Sequence, residues 1–79
     1  MKPAQLLEEV AKTLVEKPDE VVVTEVPEAP GEYVLELEVA EDDLGRVIGR
    51  GGRIANALRS VTRAAAARDG DRILVEILD

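Results

Sequence analysis

Along residues 3–17, PAQLLEEVAKTLVEK, apolar residues return every three or four positions. Leu6, Leu7, Val10, Ala11 and Leu14 share one side of a predicted helix, with charged residues between them. Pro3 suits the first turn of that helix, and Pro18 stops it. The period then changes. Val21 to Val26 is rich in β-branched residues and predicts a strand, and Pro27 to Gly31, PEAPG, predicts a turn. From Glu32 to Ala40 the pattern alternates. Tyr33, Leu35, Leu37 and Val39 lie on one face, and Glu32, Val34, Glu36 and Glu38 on the other, as in a strand with one wet face. Glu41, Asp42 and Asp43 open a short helix, where carboxylates meet the positive end of the helix dipole, and it carries Leu44, Val47 and Ile48. Beyond Gly49 to Gly52, the spacing of Ile54, Leu58, Val61 and Ala65 predicts a long helix over about 53–68, which Gly70 ends. Ile73 to Leu78 reads as a last strand. The order α-β-β-α-α-β predicts an α+β fold, a three-stranded sheet with three helices packed on one face. A chain of 79 residues holds one such domain, residues 1–79, and no second core.

Composition narrows the chemistry. Tyr33 is the single aromatic residue, so the core is aliphatic. There is no cysteine, hence no disulfide and no thiolate metal site, and no histidine, the commonest metal ligand and general base. The carboxylates fall on the wet strand face and at helix starts, where solvation accounts for them. An enzyme, a metal and a cofactor are therefore not expected. The apolar part of the N-terminus is broken by Glu8, Glu9 and Lys12, unlike a signal peptide, and no apolar run approaches the roughly 20 residues that span a bilayer. The expectation is a cytoplasmic protein with no membrane partner.

The formal charge is -7, which taken alone argues against a nucleic-acid partner. Its distribution argues otherwise. Residues 1–43 carry -10 and residues 69–79 carry -3, whereas residues 44–68 contain six arginines and no acid. Charges more than a Debye length of about 8 Å away are largely screened at physiological salt, so an anion responds to the local block. The glycine-rich stretch VIGRGGRIANAL lies inside that block.

Glycine-rich turns that open a helix hold phosphates, because backbone without Cβ can approach an anion and the first helical amides are unpaired. A P-loop needs its second glycine at position 50 and a following Lys-Ser/Thr, and this chain has Arg50 and neither. A dinucleotide fingerprint needs a third glycine at position 54, which is Ile54. Gly-x-x-Gly between two helices fits Gly49-Arg50-Gly51-Gly52, with Val47 and Ile48 before it and Ile54 after.

That motif resembles the signature of the KH domain: an aliphatic pair, Gly-x-x-Gly, two further residues and an aliphatic. Here the second spacing is one residue shorter. The order of elements is similar to the type II KH arrangement. The length, the opening PAQLLEEVAKTLVEKPDEV and the arginine-spotted long helix look like the KhpA family of small bacterial single-KH proteins. The resemblance implies an RNA-binding protein, an RNA chaperone or post-transcriptional regulator touching envelope growth or division. It implies that Gly49, Arg50, Gly51 and Gly52 clamp single-stranded RNA backbone. Arg53, a cation in a first helical turn, is placed against the dipole and joins the RNA-binding set. Arg46 on the short helix is a further phosphate contact. Ile48 and Ile54 would floor the groove for bases, with Leu37 to Ala40 on its other side. Arg59 and Arg63 read as the solvated back of the long helix, and Arg68 and Arg72 as partners of Asp69 or Asp71 and of the helix dipole.

Without an aromatic residue near the loop, stacking worth about 1–3 kcal/mol per base is missing, so one copy should bind weakly. The resemblance implies a homodimer, or a heterodimer with a second KH protein of the KhpB (Jag/EloR) type, which would raise avidity. Val22, Val34, Leu74 and Leu78 alternate off the core face, and Ala64 to Ala67 permit close helix approach, so either surface could pair. The alternative is a protein-interaction adaptor with a KH fold and little intrinsic RNA binding. Single-stranded DNA stays open as a ligand, since nothing in the sequence obviously reads a 2′-hydroxyl.

Overall fold

The computed structural model describes all residues, Met1–Asp79. Its elements are α1 (Pro3–Leu14), β1 (Val22–Ala29), β2 (Glu32–Glu38), α2 (Leu44–Ile48), α3 (Arg53–Arg68) and β3 (Arg72–Ile77). Single 3₁₀ turns at Pro18–Glu20, Glu41–Asp43 and Arg50–Gly52 join them. The sheet order is β1-β2-β3, with β1 antiparallel and β3 parallel to the central β2. The parallel step needs a crossover, and α2, the glycine loop and α3 supply it. The three helices close one face over Leu7, Ala11, Val21, Leu35, Leu37, Val39, Val47, Leu58 and Val75. The α+β fold and element order read from the sequence are those observed.

Element boundaries moved for identifiable reasons. The first helix stops at Leu14, three residues short of Lys17, and Val15 is already extended. Lys17 precedes a proline, which disfavours helical backbone, and the amides of Glu16 and Lys17 point instead at Asp43. β1 runs on through Pro27 to Ala29, into the predicted turn. It is an edge strand, where a missing N–H costs no ladder bond, and the register slips between Pro27 and Ala29. β2 ends at Glu38, because Ala40 already carries the next turn's first bond from the Asp43 amide. Gly70, at φ 77°, closes α3 as expected: its amide reaches Ala67 O and the Asp71 amide reaches Ala66 O, both at 3.0 Å.

The buried stripe of α3 is Ala55, Leu58, Thr62 and Ala66. The predicted stripe of Ile54, Leu58, Val61 and Ala65 is therefore turned by about one residue, and Val61 is 52% exposed. Small residues let α3 lie close on the sheet, and the Thr62 hydroxyl is satisfied within the helix by donating to Leu58 O at 2.6 Å. Ile54 and Val61 instead face Leu6, Val10 and Leu14 of α1 across a shallow apolar groove of about 340 Å³.

Asp43 is the polar centre of the helical layer and only 2% exposed. Its carboxylate accepts the Glu16 amide on Oδ1 and the Lys17 amide on Oδ2, each at 3.1 Å, and Arg46 Nε stands 3.2 Å from Oδ1. The Glu16 hydrogen bond, helped by the Lys17 amide and the Arg46 charge, outweighs burial and holds the carboxyl below its ordinary pKa. A lowered folded pKa contributes stability above the unfolded value of about 3.9, and this is lost as pH falls through the folded value. Asp43→Asn should therefore lower the urea midpoint at pH 7, and the gap from wild type should shrink at pH 3. A gap that stays constant with pH would show that the charge is not what holds these segments.

Candidate nucleic-acid interface

The loop between α2 and α3 is shaped by three glycines with positive φ. Gly49 ends α2, its amide donating to Gly45 O at 2.9 Å, and takes φ 75°, ψ 172°, a region essentially reserved for glycine. Gly51 and Gly52 follow in left-handed geometry, at φ 65° and 76°. The Gly52 amide returns to Gly49 O at 3.1 Å and closes the turn. Gly49 has a second reason to be glycine: a Cβ there would lie 2.7 Å from Ile54 Cγ1. The backbone at the loop's entry is therefore pressed onto the first turn of α3. Gly51 and Gly52 face open space, so only their φ demands glycine.

α3 begins with no side-chain cap. Its N-cap is Gly52, and no acid occupies its first turn. The Arg53 amide is taken by Arg50 O, and the amides that follow it in the 16-residue helix remain available beside the loop, where the helix dipole is positive. Arg50 and Arg53 are exposed and in no ion pair. Ile48, 39% exposed, precedes the loop, and the half-buried Ile54 lies under it. The structure thus brings Gly49, Arg50, Gly51, Gly52, Arg53, Ile48 and Ile54 into one continuous segment. Amides, two free guanidinium groups and an aliphatic floor suit an extended polyanion with planar, weakly polar substituents.

Arg46 is placed differently. Its guanidinium lies between Asp43 and the carboxylate of Glu16, so its charge is already matched within the fold. Lys17 pairs with Asp42 at 3.5 Å on the same side. Two other arginines depart from expectation. Arg59 is half-buried rather than solvated: its Nε donates to Val75 O at 3.3 Å on the outer edge of β3, and Nη1 reaches Asn56 Oδ1 at 3.4 Å. Arg68 and Arg72 form no ion pair with Asp69 or Asp71. The wall assigned to Leu37–Ala40 is also different, since Leu37, Val39 and Ala40 are buried and β2 is the central strand, hydrogen-bonded on both sides. The free strand edge beside α3 belongs to β3. Sequence reasoning missed Arg59 because its partner lies 16 residues away.

A family model described as "KhpA/KhpB, KH domain" matches residues 4–77. A protein of Clostridium acetobutylicum named RNA-binding protein KhpA is 53% identical over 94% of this chain and 97% of its own length. Its namesake in Clostridium perfringens is 46% identical over the same shares. The namesake in Borreliella burgdorferi is 45% identical over 95% of this chain and 90% of its own length. Among solved structures, Era in complex with MgGDPNP and nucleotides 1506–1542 of 16S ribosomal RNA superposes with a TM-score of 0.65. The identity is 22%, over 95% of this chain and 28% of that one, a likeness of fold.

Gly51→Ala and Gly52→Ala should each cost about 1–2 kcal/mol, the price of a left-handed L-residue. Gly49→Ala should cost more than either, because its methyl also meets Ile54. Urea denaturation of the three variants checks the order, and equal losses would show that the contact with Ile54 relaxes freely.

Proposed function

This chain belongs to the KhpA/KhpB KH-domain family, and we propose that it binds single-stranded RNA through the Gly49–Gly52 loop. The carrying observation is the loop's geometry: three positive-φ glycines leading into an uncapped helix N-terminus, flanked by unpaired Arg50 and Arg53, inside the one positive block of an acidic chain. Relatives named as RNA-binding proteins at 43–53% identity support the same ligand. The loop amides and the α3 dipole take phosphate oxygens, Arg50 and Arg53 add charge, and Ile48 and Ile54 receive the base faces. Arg46 contributes less than Arg50 and Arg53, because Asp43 and Glu16 neutralise it. The protein is a binding module, acting as an RNA chaperone or post-transcriptional regulator, rather than an enzyme. Nothing in the set of groups at the loop demands a 2′-hydroxyl, so RNA and DNA of one sequence are compared in the same assay.

Pairing completes the proposal. One loop without aromatic stacking binds weakly, and two on a homodimer, or on a heterodimer with a KhpB-type protein, bind with avidity. The uncovered apolar groove between α1 and α3, with Val61 exposed at its margin, supports such pairing. Val61→Glu should shift a dimer toward monomer in sedimentation equilibrium while leaving the thermal transition of the monomer in place. A dimer unaffected by this change would put the pairing surface elsewhere.

The test of RNA binding is fluorescence anisotropy of a labelled single-stranded RNA. Arg50→Asp/Gly51→Asp should weaken binding at least tenfold while circular dichroism shows the fold retained. Arg53→Ala should flatten the salt dependence by about 0.7 in log K against log salt, the loss of one phosphate contact on a single strand. Equal binding by the folded double variant would move the function to the protein-interaction adaptor.

A further inference from the structure

The helices cover one face of the sheet and leave the other bare. On the bare face the register sets side chains in rows across the strands. Val26, Val34 and Leu74 form one row, and Thr24, Glu36 and Glu76 form the next. Neighbours in a row are about 5 Å apart, and successive rows about 7 Å. Leu74 is 47% exposed, so the apolar row is open to solvent.

The acidic row is unusual. Glu36 and Glu76 stand directly opposite one another on the parallel strands β2 and β3, and Glu36 is half-buried. Neither is in an ion pair. Like charges directly opposite destabilise a sheet. The one basic residue of this face, Arg72, lies two rows away, opposite Glu32. Arg59 of α3 reaches the β3 edge beside Leu74 and Glu76, but its hydrogen bonds go to Val75 O and Asn56 Oδ1, so the carboxylate pair beside the apolar row is left without an ion-pair partner.

This chemistry selects an occupant. RNA and anionic membrane surfaces are repelled. A second copy docking face to face would bring to this row either its own image or the Glu32–Arg72 row, which offers one cation among three glutamates. We propose that the open sheet face docks a cationic, amphipathic segment of another protein, with apolar side chains on the Val26–Val34–Leu74 row and lysine or arginine on the Glu36–Glu76 pair. Bound cations remove the repulsion between the two carboxylates, and the apolar row sets position. The face lies across the sheet from the helical layer that carries the Gly49–Gly52 loop, so both surfaces can be filled at once.

The probe is a fluorescein-labelled 16-residue peptide of leucine and lysine at helical spacing, followed by anisotropy and by ¹H–¹⁵N correlation spectra of the full chain. Glu36→Gln/Glu76→Gln is compared with Glu20→Gln/Glu41→Gln, which has the same net charge, and with Leu74→Ser. Amide shifts should centre on Val34, Glu36, Leu74 and Glu76. The first and third variants should bind at least tenfold more weakly, the second should bind as wild type does, and labelled RNA should bind all of them alike. Absence of peptide binding, equal weakening in the two charge-matched variants, or shifts centred on the α1–α3 groove would overturn the proposal. A parallel loss of RNA binding in Glu36→Gln/Glu76→Gln would overturn the independence of the two surfaces, whereas failure of RNA binding in every protein, wild type included, would count against the RNA loop alone.

Discussion

The end of α1 and the start of α2 meet at one carboxylate. Asp43 takes the amides left over where α1 ends and, three residues before Arg46, fixes the start of α2. Those amides have no helical partner, because the chain is turning toward Pro18, and they would be costly to leave unpaired in the half-buried junction. Satisfying them from Asp43 fixes α1 against α2. Since α2 has only five residues, its placement is also the placement of Gly49, and Gly49 in turn rests on Ile54 at the head of α3. The loop's position thus descends from a buried hydrogen-bonding requirement some distance from it.

Charge is sorted on the same scaffold. Residues 44–68 hold six arginines, and the fold treats them unequally. Arg46 is neutralised at the Asp43 junction, and Arg59 is drawn down to the Val75 carbonyl at the sheet edge. Arg50 and Arg53 stay unpaired beside amides that already favour an anion. Across the sheet, the glutamates of β2 and β3 make the opposite field. A protein of net charge -7 therefore offers a polyanion one approach and discourages the others, and the electrostatics give orientation as much as affinity.

The elements were legible because their signals are local. Alternation in β2, the three-and-four spacing in α1, and glycine at Gly49, Gly51 and Gly52 each depend on neighbours in sequence. The helix α3 was read about one residue out of phase because a hydrophobic pattern weights bulky residues. Close helix-on-sheet packing instead buried Ala55, Thr62 and Ala66 and turned Val61 outward. The roles of Asp43, Arg46 and Arg59 were hidden for a different reason. Their contacts with Glu16, Lys17 and Val75 span 16 to 30 residues, and no spacing rule reports such contacts. Asp43 read as one acid of three at a helix start, whereas the fold distinguishes it from Glu41 and Asp42 by burial.

The parallel pairing of β2 with β3 has a consequence for the life of the chain. Glu32 pairs with Arg72, and the thirty-nine positions between them contain α2, the glycine loop and all of α3. Closing so long a segment carries an entropic cost that no local turn defrays, and such non-local pairings form late. While the chain is being synthesised, the loop's residues emerge well before the strand that completes their support. Val75, against which Arg59 and the core pack, arrives last. The glycine loop is thus synthesised before the strand that closes the sheet, and α3, which the loop opens, finds its seat on Val75 only once β3 has joined.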